Sequence, residues 1–192
     1  MQAIILASTS IYRREQLQRL NITFDVMAPD VDEDVLKDQG LKHRQLSREL
    51  AQLKAEAVSK QNPQAIVIGG DQVASFGDTV LSKPKTKQRA FEQLKQLAGK
   101  EHQLITSLAI TANGQTHLHT CTATMTMRTL TDEQITRYID ADEPLHSCGA
   151  YRLEALGISL FTHIDCEDYT SIIGIPLMWT ATTLSKLGVA IP

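Results

Sequence analysis

Aromatic side chains are scarce in this sequence, with four Phe, four Tyr and one Trp among 192 residues. Cations are outnumbered as well, 19 Lys and Arg against 22 Asp and Glu, for a formal net charge of −3. A general nucleic-acid binder needs the reverse: an excess of cations to release counterions and aromatic faces for bases. That class is set aside. No apolar run approaches the roughly 20 residues that cross a bilayer, and the first residues lack a basic stretch followed by a long apolar one. No signal peptide and no membrane contact are therefore expected, and the cytoplasm is the expected compartment. Cys121, Cys148 and Cys166 are odd in number and widely spaced, with no CxxC pair, and read as free thiols of a reducing compartment. GxGxxG, Walker A, GxSxG and zinc-spaced Cys/His motifs are missing. No repeat or Pro/Gly/Ser linker divides the chain, so it reads as one sizeable domain or two small lobes sharing a core.

What remains is an ordinary globular composition, 42% hydrophobic and 21% charged, with room for one local basic pocket. Periodicity supplies the elements. Ala3-Ile4-Ile5-Leu6-Ala7 is an apolar strand, and Ser10 to about Leu20 reads as helix. Ile22 to Met27 reads as a second strand, followed by the acidic run Asp30-Val31-Asp32-Glu33-Asp34 as loop. Leu46, Leu50, Leu53 and Ala57 recur at helical spacing and predict an amphipathic helix over 43–60. Ala65-Ile66-Val67-Ile68 is a short strand expected to end in Gly69-Gly70-Asp71-Gln72. A helix over 86–98 places Ala90, Leu94 and Leu97 on one face, with Gly99 as its C-cap. Asn113-Gly114, between strands over 103–112 and 116–127, is the strongest short hairpin signal. Thr131-Asp132-Glu133-Gln134 is a capping box whose helix ends before Pro144, and Pro176 and Gly188 bracket a last helix. The expected fold is α/β or α+β, a mixed twisted sheet flanked by helices.

Several of these positions suit chemistry. A strand that runs through Ser8-Thr9-Ser10 into a helix start builds an anion site, because free N–H groups and the positive helix end face the loop. Ser8 and Ser10 add hydroxyl donors; Arg13 and Arg14 add planar charged forks that suit phosphate. The same residues also read as a plain turn, with Ser10 an N-cap and both arginines in solvent. Asp71, after an apolar strand and two glycines, stands at a strand edge where α/β proteins hold ligands, suited to binding a metal or taking a proton from water. Taken alone, the tripeptide Gly70-Asp71-Gln72 reads more simply as a strand-end turn, with the Asp capping its own backbone. Lys83 precedes Pro84, which restricts its backbone, and Lys54 borders the apolar stripe beside Leu50 and Ala57. Each alone also reads as a snorkelling lysine. Glu33 lies in an acidic loop that is either simply solvated or holds Mg²⁺, which takes one or two carboxylates plus substrate phosphates. His117 and His119 alternate on a strand without a third ligand nearby, and His146 near Cys148 is no stronger.

Taken in order, Leu6-Ala7-Ser8-Thr9-Ser10 with Arg13-Arg14, Val31-Asp32-Glu33, Lys54-Ala55, Gly70-Asp71-Gln72, Lys83-Pro84 and Gly174-Ile175-Pro176-Leu177 resemble the Maf family of nucleotide pyrophosphatases. The resemblance covers nearly the whole chain as a single Maf-like domain over 1–192. It implies a divalent-metal enzyme, using Mg²⁺ or Mn²⁺, that cleaves nucleoside triphosphates to the monophosphate and pyrophosphate. It also implies an elongated α/β fold related to inosine-triphosphate pyrophosphatases, two lobes with the active site in a central cleft. On that basis Asp71 is the general base or holds a metal-bound water, and Glu33 shares the metal with it. Ser8, Ser10, Arg13, Arg14, Lys54 and Lys83 are assigned to the phosphates. Ile11 departs from the pattern, standing where the family carries proline, so a looser but equivalent helix start is expected.

Pyrimidine-specific members of the family carry Arg, Thr and Gln at positions that correspond here to Tyr12, Gln72 and Glu154. Pro144-Leu145-His146, Gly149 and Glu154-Ala155-Leu156-Gly157-Ile158 are similar to the branch that prefers 7-methyl-GTP. The chemistry agrees. N7-methylation puts positive charge on the purine, which favours an aromatic face such as Tyr12 over an arginine. Guanine offers N1–H and N2–H donors on one edge, and a Glu154 carboxylate accepts both. Without the motif, Tyr12 reads as a half-buried helix residue and Glu154 as a solvated charge. The resemblance thus implies hydrolysis of 7-methyl-GTP, with clearance of modified nucleotides as a fitting role. The alternatives are dTTP or UTP as substrate, or a nucleotide-binding regulator of cell division without catalysis. The expected partners are a small nucleotide, no nucleic acid, no membrane and, by family analogy alone, a second copy in a homodimer.

Overall fold

Strand β1 (Ile4–Ala7) is buried along its whole length, as four residues without a polar side chain require of a strand covered on both faces. It pairs in parallel with β2 (Asp25–Met27) and with β3 (Ile66–Phe76), in register from Ile4↔Ile66 to Ala7↔Gly69. The computed structural model describes residues 2–37 and 39–191. Among these, β4 (Thr79–Leu81), β5 (Glu101–Ala112), β6 (Gln115–Met127) and β7 (Phe161–Asp165) complete a seven-stranded mixed sheet. Its order is β2-β1-β3-β5-β6-β7, and β4 pairs antiparallel with β3. The helices are α1 (Ile11–Gln18), α2 (Asp34–Lys37), α3 (His43–Gln61), α4 (Lys87–Leu97), α5 (Asp132–Asp142), α6 (Thr170–Ile173) and α7 (Leu177–Lys186). No described helix is long and apolar enough to cross a membrane.

The chain divides into two compact units. One comprises Met1–Gln72, Thr106–Cys121 and Asp168–Pro192; the other comprises Val73–Ile105 and Thr122–Glu167. In the first, alternation along the parallel strands sorts the core into two clusters. Ile4, Leu6, Ile66 and Ile68 join Leu17 of α1 and Leu184 of α7. Ile5, Ala7 and Val67 join Ala51, Ala55 and Val58 of α3. Gly69 sets the spacing of the second cluster. A Cβ there would lie 2.5 Å from the Ala55 amide nitrogen and 2.7 Å from the Ala51 carbonyl oxygen. Strand and helix touch backbone to backbone because residue 69 has no side chain. In the second unit, α4 and α5 bury Ala90, Leu94, Leu97, Ile135, Tyr138 and Ile139.

Local signals held where they were strongest. Ser10 caps α1, its Oγ accepting from the Arg13 amide at 3.4 Å, and the helix begins at Ile11 itself. Both halves of the Thr131/Gln134 capping box are formed. Asn113 and Gly114 both have positive φ, 52° and 75°, as a tight hairpin turn requires. None of the three cysteines is in a disulfide.

Three expectations are corrected. The second strand covers only Asp25–Met27, because Asn21 turns into the left-handed region at φ 52° and Ile22 and Phe24 fold onto the core instead. The acidic run does not stay loop: Asp32 Oδ1 accepts from the Asp34 amide at 3.1 Å and starts α2. Gly69-Gly70-Asp71-Gln72 is not a strand-end turn but the middle of the 11-residue β3. The pairing with β1 ends at Gly69 while β5 remains a neighbour of β3, so the strand runs on past the glycines.

Candidate active site

The buried stripe of α3 reads Leu46, Ser47, Leu50, Ala51, Lys54, Ala55 and Val58. Two of these are polar, and their seven-residue separation puts them on one face. Both turn to the same residue of β3. Ser47 Oγ donates to the Asp71 carbonyl oxygen at 3.3 Å, and Lys54 Nζ donates to Asp71 Oδ1 at 2.7 Å. Lys54 Nζ also meets Glu33 Oε1 at 2.8 Å, and Glu33 pairs in turn with Lys37 of α2 at 3.3 Å. Lys54 and Asp71 are each only 8% exposed, so one ammonium sits between two carboxylates with little water to screen it.

Asp71 lies two residues past the last rung shared with β1, which leaves that stretch of β3 open on the β1 side. Burial pushes its carboxyl above the ordinary carboxylate range, and the charges of Lys54 and Arg13 offset this only in part. Glu33 goes the other way: burial alone would raise it, but the bonds and charges of Lys54 and Lys37 hold it below its usual value. The two carboxylates therefore differ in proton affinity by environment, as an acid–base site requires. Among the described residues no three His, Cys, Asp or Glu side chains cluster as metal ligands. Two hard oxygen donors converging on one cation do fit Mg²⁺ or Mn²⁺ whose other ligands are phosphate and water.

Arg13 braces this region. Its Nη1 donates to the Gly70 carbonyl oxygen at 2.8 Å and its Nε to the Gly174 carbonyl oxygen at 3.2 Å. Gly174 has φ 127°, and a Cβ there would lie 3.1 Å from Arg13 Cγ, so the glycine both makes the turn and admits the arginine. Ser8 is buried and its Oγ accepts from the Ser10 amide at 3.1 Å, while Ser10 serves as the cap of α1. Arg14 is exposed and lines a depression with Phe24 and Asp25. Tyr12 is half-buried on α1. Gln72 Nε2 donates to Thr106 Oγ1 at 2.9 Å and to the carbonyl oxygens of Ser171 and Ile172 at 3.1 and 2.9 Å. The structure thus brings Glu33, Lys54 and Asp71 together, with Arg13 on the adjoining carbonyl. Lys83, exposed beside a buried Pro84, and Glu154, exposed in a turn, belong to the second unit.

Sequence reasoning missed Ser47, Gln16 and Asp168. Gln16 is buried in α1 and spans to the chain before α7, donating to the Thr170 carbonyl at 2.7 Å and accepting from the Ile175 amide at 3.0 Å. Asp168 Oδ2 accepts from the Met178 amide at 2.9 Å and its Oδ1 from the Thr170 amide at 3.0 Å. The available signal was a polar residue in an apolar stripe: Ser47 is a heptad from Lys54, and Gln16 adjoins Leu17.

This chain is 42% identical over 194 residues to a protein of Pseudomonas putida named 7-methyl-GTP pyrophosphatase, with all of both chains covered. A Bdellovibrio bacteriovorus protein of the same name is 41% identical, over 91% of this chain and 92% of its own. In fold the chain is similar to a HAM1 protein from Coxiella burnetii, with a TM-score of 0.55 at 12% identity, covering 97% of this chain and 100% of that one. The profile described as Maf-like protein matches residues 3–187, and the chain belongs to the Maf family.

Proposed function

We propose that this protein is a nucleoside triphosphate pyrophosphatase that hydrolyses 7-methyl-GTP to 7-methyl-GMP and pyrophosphate with the aid of Mg²⁺ or Mn²⁺. The observation that carries the proposal is the Lys54 ammonium between Asp71 and Glu33, buried on the helix side. A carboxylate made more basic by burial, yet held beside a fixed cation, is built to take a proton in the neighbourhood of a polyanion. A protein that only sensed nucleotides would have no use for it. The names of the full-length relatives support the substrate.

In this reading Asp71 accepts a proton from the attacking water. The water oxygen bonds to the α-phosphorus, the bond from that phosphorus to the α–β bridging oxygen breaks, and pyrophosphate leaves with that bond's electron pair. Lys54 orients Asp71 and favours its ionised form. Arg13 adds positive field and holds the Gly70 carbonyl beside Asp71. Ser8, the opening of α1, Arg14 and Lys83 offer donors to the phosphates. Glu33 and Asp71 are the residues that would hold the metal, which when bound offsets phosphate charge and polarises the phosphoryl oxygens. Tyr12, Gln72 and Glu154 carry the choice of base, through the aromatic face and the paired acceptors that a cationic, methylated guanine prefers.

The test is pyrophosphate release from 7-methyl-GTP, GTP, dTTP and UTP, with Mg²⁺, Mn²⁺ or a chelator, for the wild type and Asp71→Asn. The expected result is metal-dependent turnover with preference for 7-methyl-GTP. Asp71→Asn should lower it by about 10²–10⁴-fold, the usual worth of a general base. Preference for dTTP or UTP would keep the chemistry and remove the substrate. A folded protein inert on all four would overturn the enzymatic reading.

A further inference from the structure

The second unit contains a buried ionic cluster that the proposed chemistry leaves unused. Asp142, the last residue of α5, is 5% exposed and accepts four hydrogen bonds. Tyr138 Oη donates to Oδ2 at 2.7 Å, Arg152 Nε to Oδ2 at 3.3 Å, Arg152 Nη2 to Oδ1 at 2.8 Å, and the Leu156 amide to Oδ1 at 3.4 Å. The Arg152 amide closes the cluster onto Tyr138 Oη at 3.1 Å. Burial would raise the Asp142 carboxyl, but the bonds from Arg152 and Tyr138 outweigh it and keep the group ionised below the ordinary range.

One carboxylate thereby grips both ends of the turn 152–157. The turn also grips itself: the Arg152 carbonyl oxygen accepts from the Ala155 and Gly157 amides at 3.2 and 2.9 Å. Gly157 permits this, since a Cβ there would lie 2.7 Å from the Arg152 carbonyl carbon and 2.8 Å from its nitrogen. The approach to the turn is constrained too. Gly149 and Ala150 are both left-handed, at φ 76° and 60°, and the Tyr151 ring lies 2.7 Å from where a Gly149 Cβ would be. A left-handed alanine is strained and persists only where its surroundings dictate it. At the tip of this fastened turn stands Glu154, exposed. Apolar packing would hold a surface turn as well as a buried ion pair does; a bidentate arginine–carboxylate pair adds a defined orientation.

We infer that Asp142, Arg152 and Tyr138 are positioning residues for Glu154, holding its turn in one conformation and so setting selectivity for the methylated guanine. The inference rests on the proposed reading, in which Glu154 meets the base. It concerns residues that touch no substrate.

The test uses Asp142→Asn and Tyr138→Phe in the whole protein, with Glu154→Gln alone and combined with Asp142→Asn. In substrate-free protein, Asp142→Asn should speed hydrogen exchange at the Leu156 and Gly157 amides by about tenfold or more. In turnover it should raise KM for 7-methyl-GTP about tenfold, with a smaller change in kcat, and lower the ratio of kcat/KM for 7-methyl-GTP over dTTP. Tyr138→Phe, which removes a single hydroxyl and is the gentler change, should shift both readouts the same way by less. In the Glu154→Gln background, Asp142→Asn should lower the ratio no further, because both act through one side chain. Faster exchange with an unchanged ratio, or additive effects in the double variant, would overturn the positioning role. Unchanged exchange would overturn the clasp itself. Failure of the parent reading would show in the wild type, as no preference for 7-methyl-GTP, and would overturn the inference with it.

Discussion

Lys54 Nζ lies 2.7 Å from Asp71 Oδ1, and each residue is only 8% exposed. At such burial the attraction of the pair is largely offset by the water both ions give up, so the pair adds little to stability. Removing one partner is a different matter, because it strands the other charge. Lys54→Met is expected to raise the Asp71 carboxyl further above its ordinary value of 3.8, from which burial has already raised it. The acid limb of kcat/KM, set by deprotonated Asp71, should therefore move to higher pH. Turnover should fall by on the order of 100-fold, as when one fixed electrostatic donor is lost. A raised folded pKa also fixes the sign for stability: Asp71 contributes fully below 3.8, and that contribution is lost as pH rises through its folded value. A pH–rate profile of the variant checks this, and an acid limb coincident with the wild type would remove Lys54 from its role.

Gly69 sets how closely α3 approaches β3, and so whether Lys54 reaches Asp71. Gly69→Ala would put a methyl 2.5 Å from the Ala55 amide nitrogen, and neither backbone can move aside cheaply. The expected loss is about 1–3 kcal/mol, the range for overpacking a dense core, together with reduced turnover as α3 is displaced. Gly77→Ala is the control. Nothing lies within 4 Å of its Cβ position, and its φ is 57°, so the cost is backbone strain of about 1–2 kcal/mol without a change in turnover. Urea unfolding of both variants, beside their kcat, separates the two mechanisms.

Arg13 tests how far a residue assigned to phosphate by family resemblance serves the fold instead. Its fork joins the carbonyls of Gly70 and Gly174, which a lysine ammonium, a point charge on a flexible stem, does not bridge. Arg13→Lys should cost about 1.5–3 kcal/mol, the worth of a hydrogen bond to a charged group, and lower kcat as Asp71 loses its brace. Unchanged stability with KM alone raised would mean that Arg13 acts on phosphate only. Urea unfolding in the absence of nucleotide decides between them.

Much of this fold was legible locally, and the site less so. β1, α3 and the hairpin at Asn113-Gly114 announce themselves within a dozen residues, because burial and turn geometry act at that range. Gly69-Gly70 misled for the same reason. Paired glycines punctuate a chain locally, whereas the continuation of β3 depends on β5, some 35 residues on. Glu33, Lys54 and Asp71 were named from the order of motifs, but their meeting at one ammonium needs the parallel register of β1 and β3 and the crossing of α3. The bonds of the Arg13 fork to the Gly70 and Gly174 carbonyls were not legible, because backbone carbonyls belong to every residue and no sequence pattern marks them. Asp142 is the same case: of its four donors, one is a backbone amide and two belong to an arginine ten residues on, which leaves no local signature.

His102 on β5 predicts how the protein responds to acid. It is 3% exposed, its Nε2 lies 2.9 Å from Tyr151 Oη, and it packs against the rings of Tyr151 and Phe161. Nδ1 is buried without a hydrogen-bond partner among the described residues. Burial pushes its pKa down from 6.5 to about 4. The folded value lies below the unfolded one, so the stability linked to a neutral His102 is fully present above 6.5 and is lost as pH falls from there to about 4. A shift of that size corresponds to about 3 kcal/mol. His102→Phe keeps the ring packing and removes the titration, although the bond to Tyr151 goes with it. The stability difference between wild type and variant, from urea unfolding at pH 7, 5.5 and 4, should therefore change by about 3 kcal/mol in the variant's favour on acidification. Other carboxylates titrate in both proteins and cancel in that difference, whereas a difference independent of pH would mean that His102 does not fold as the neutral imidazole.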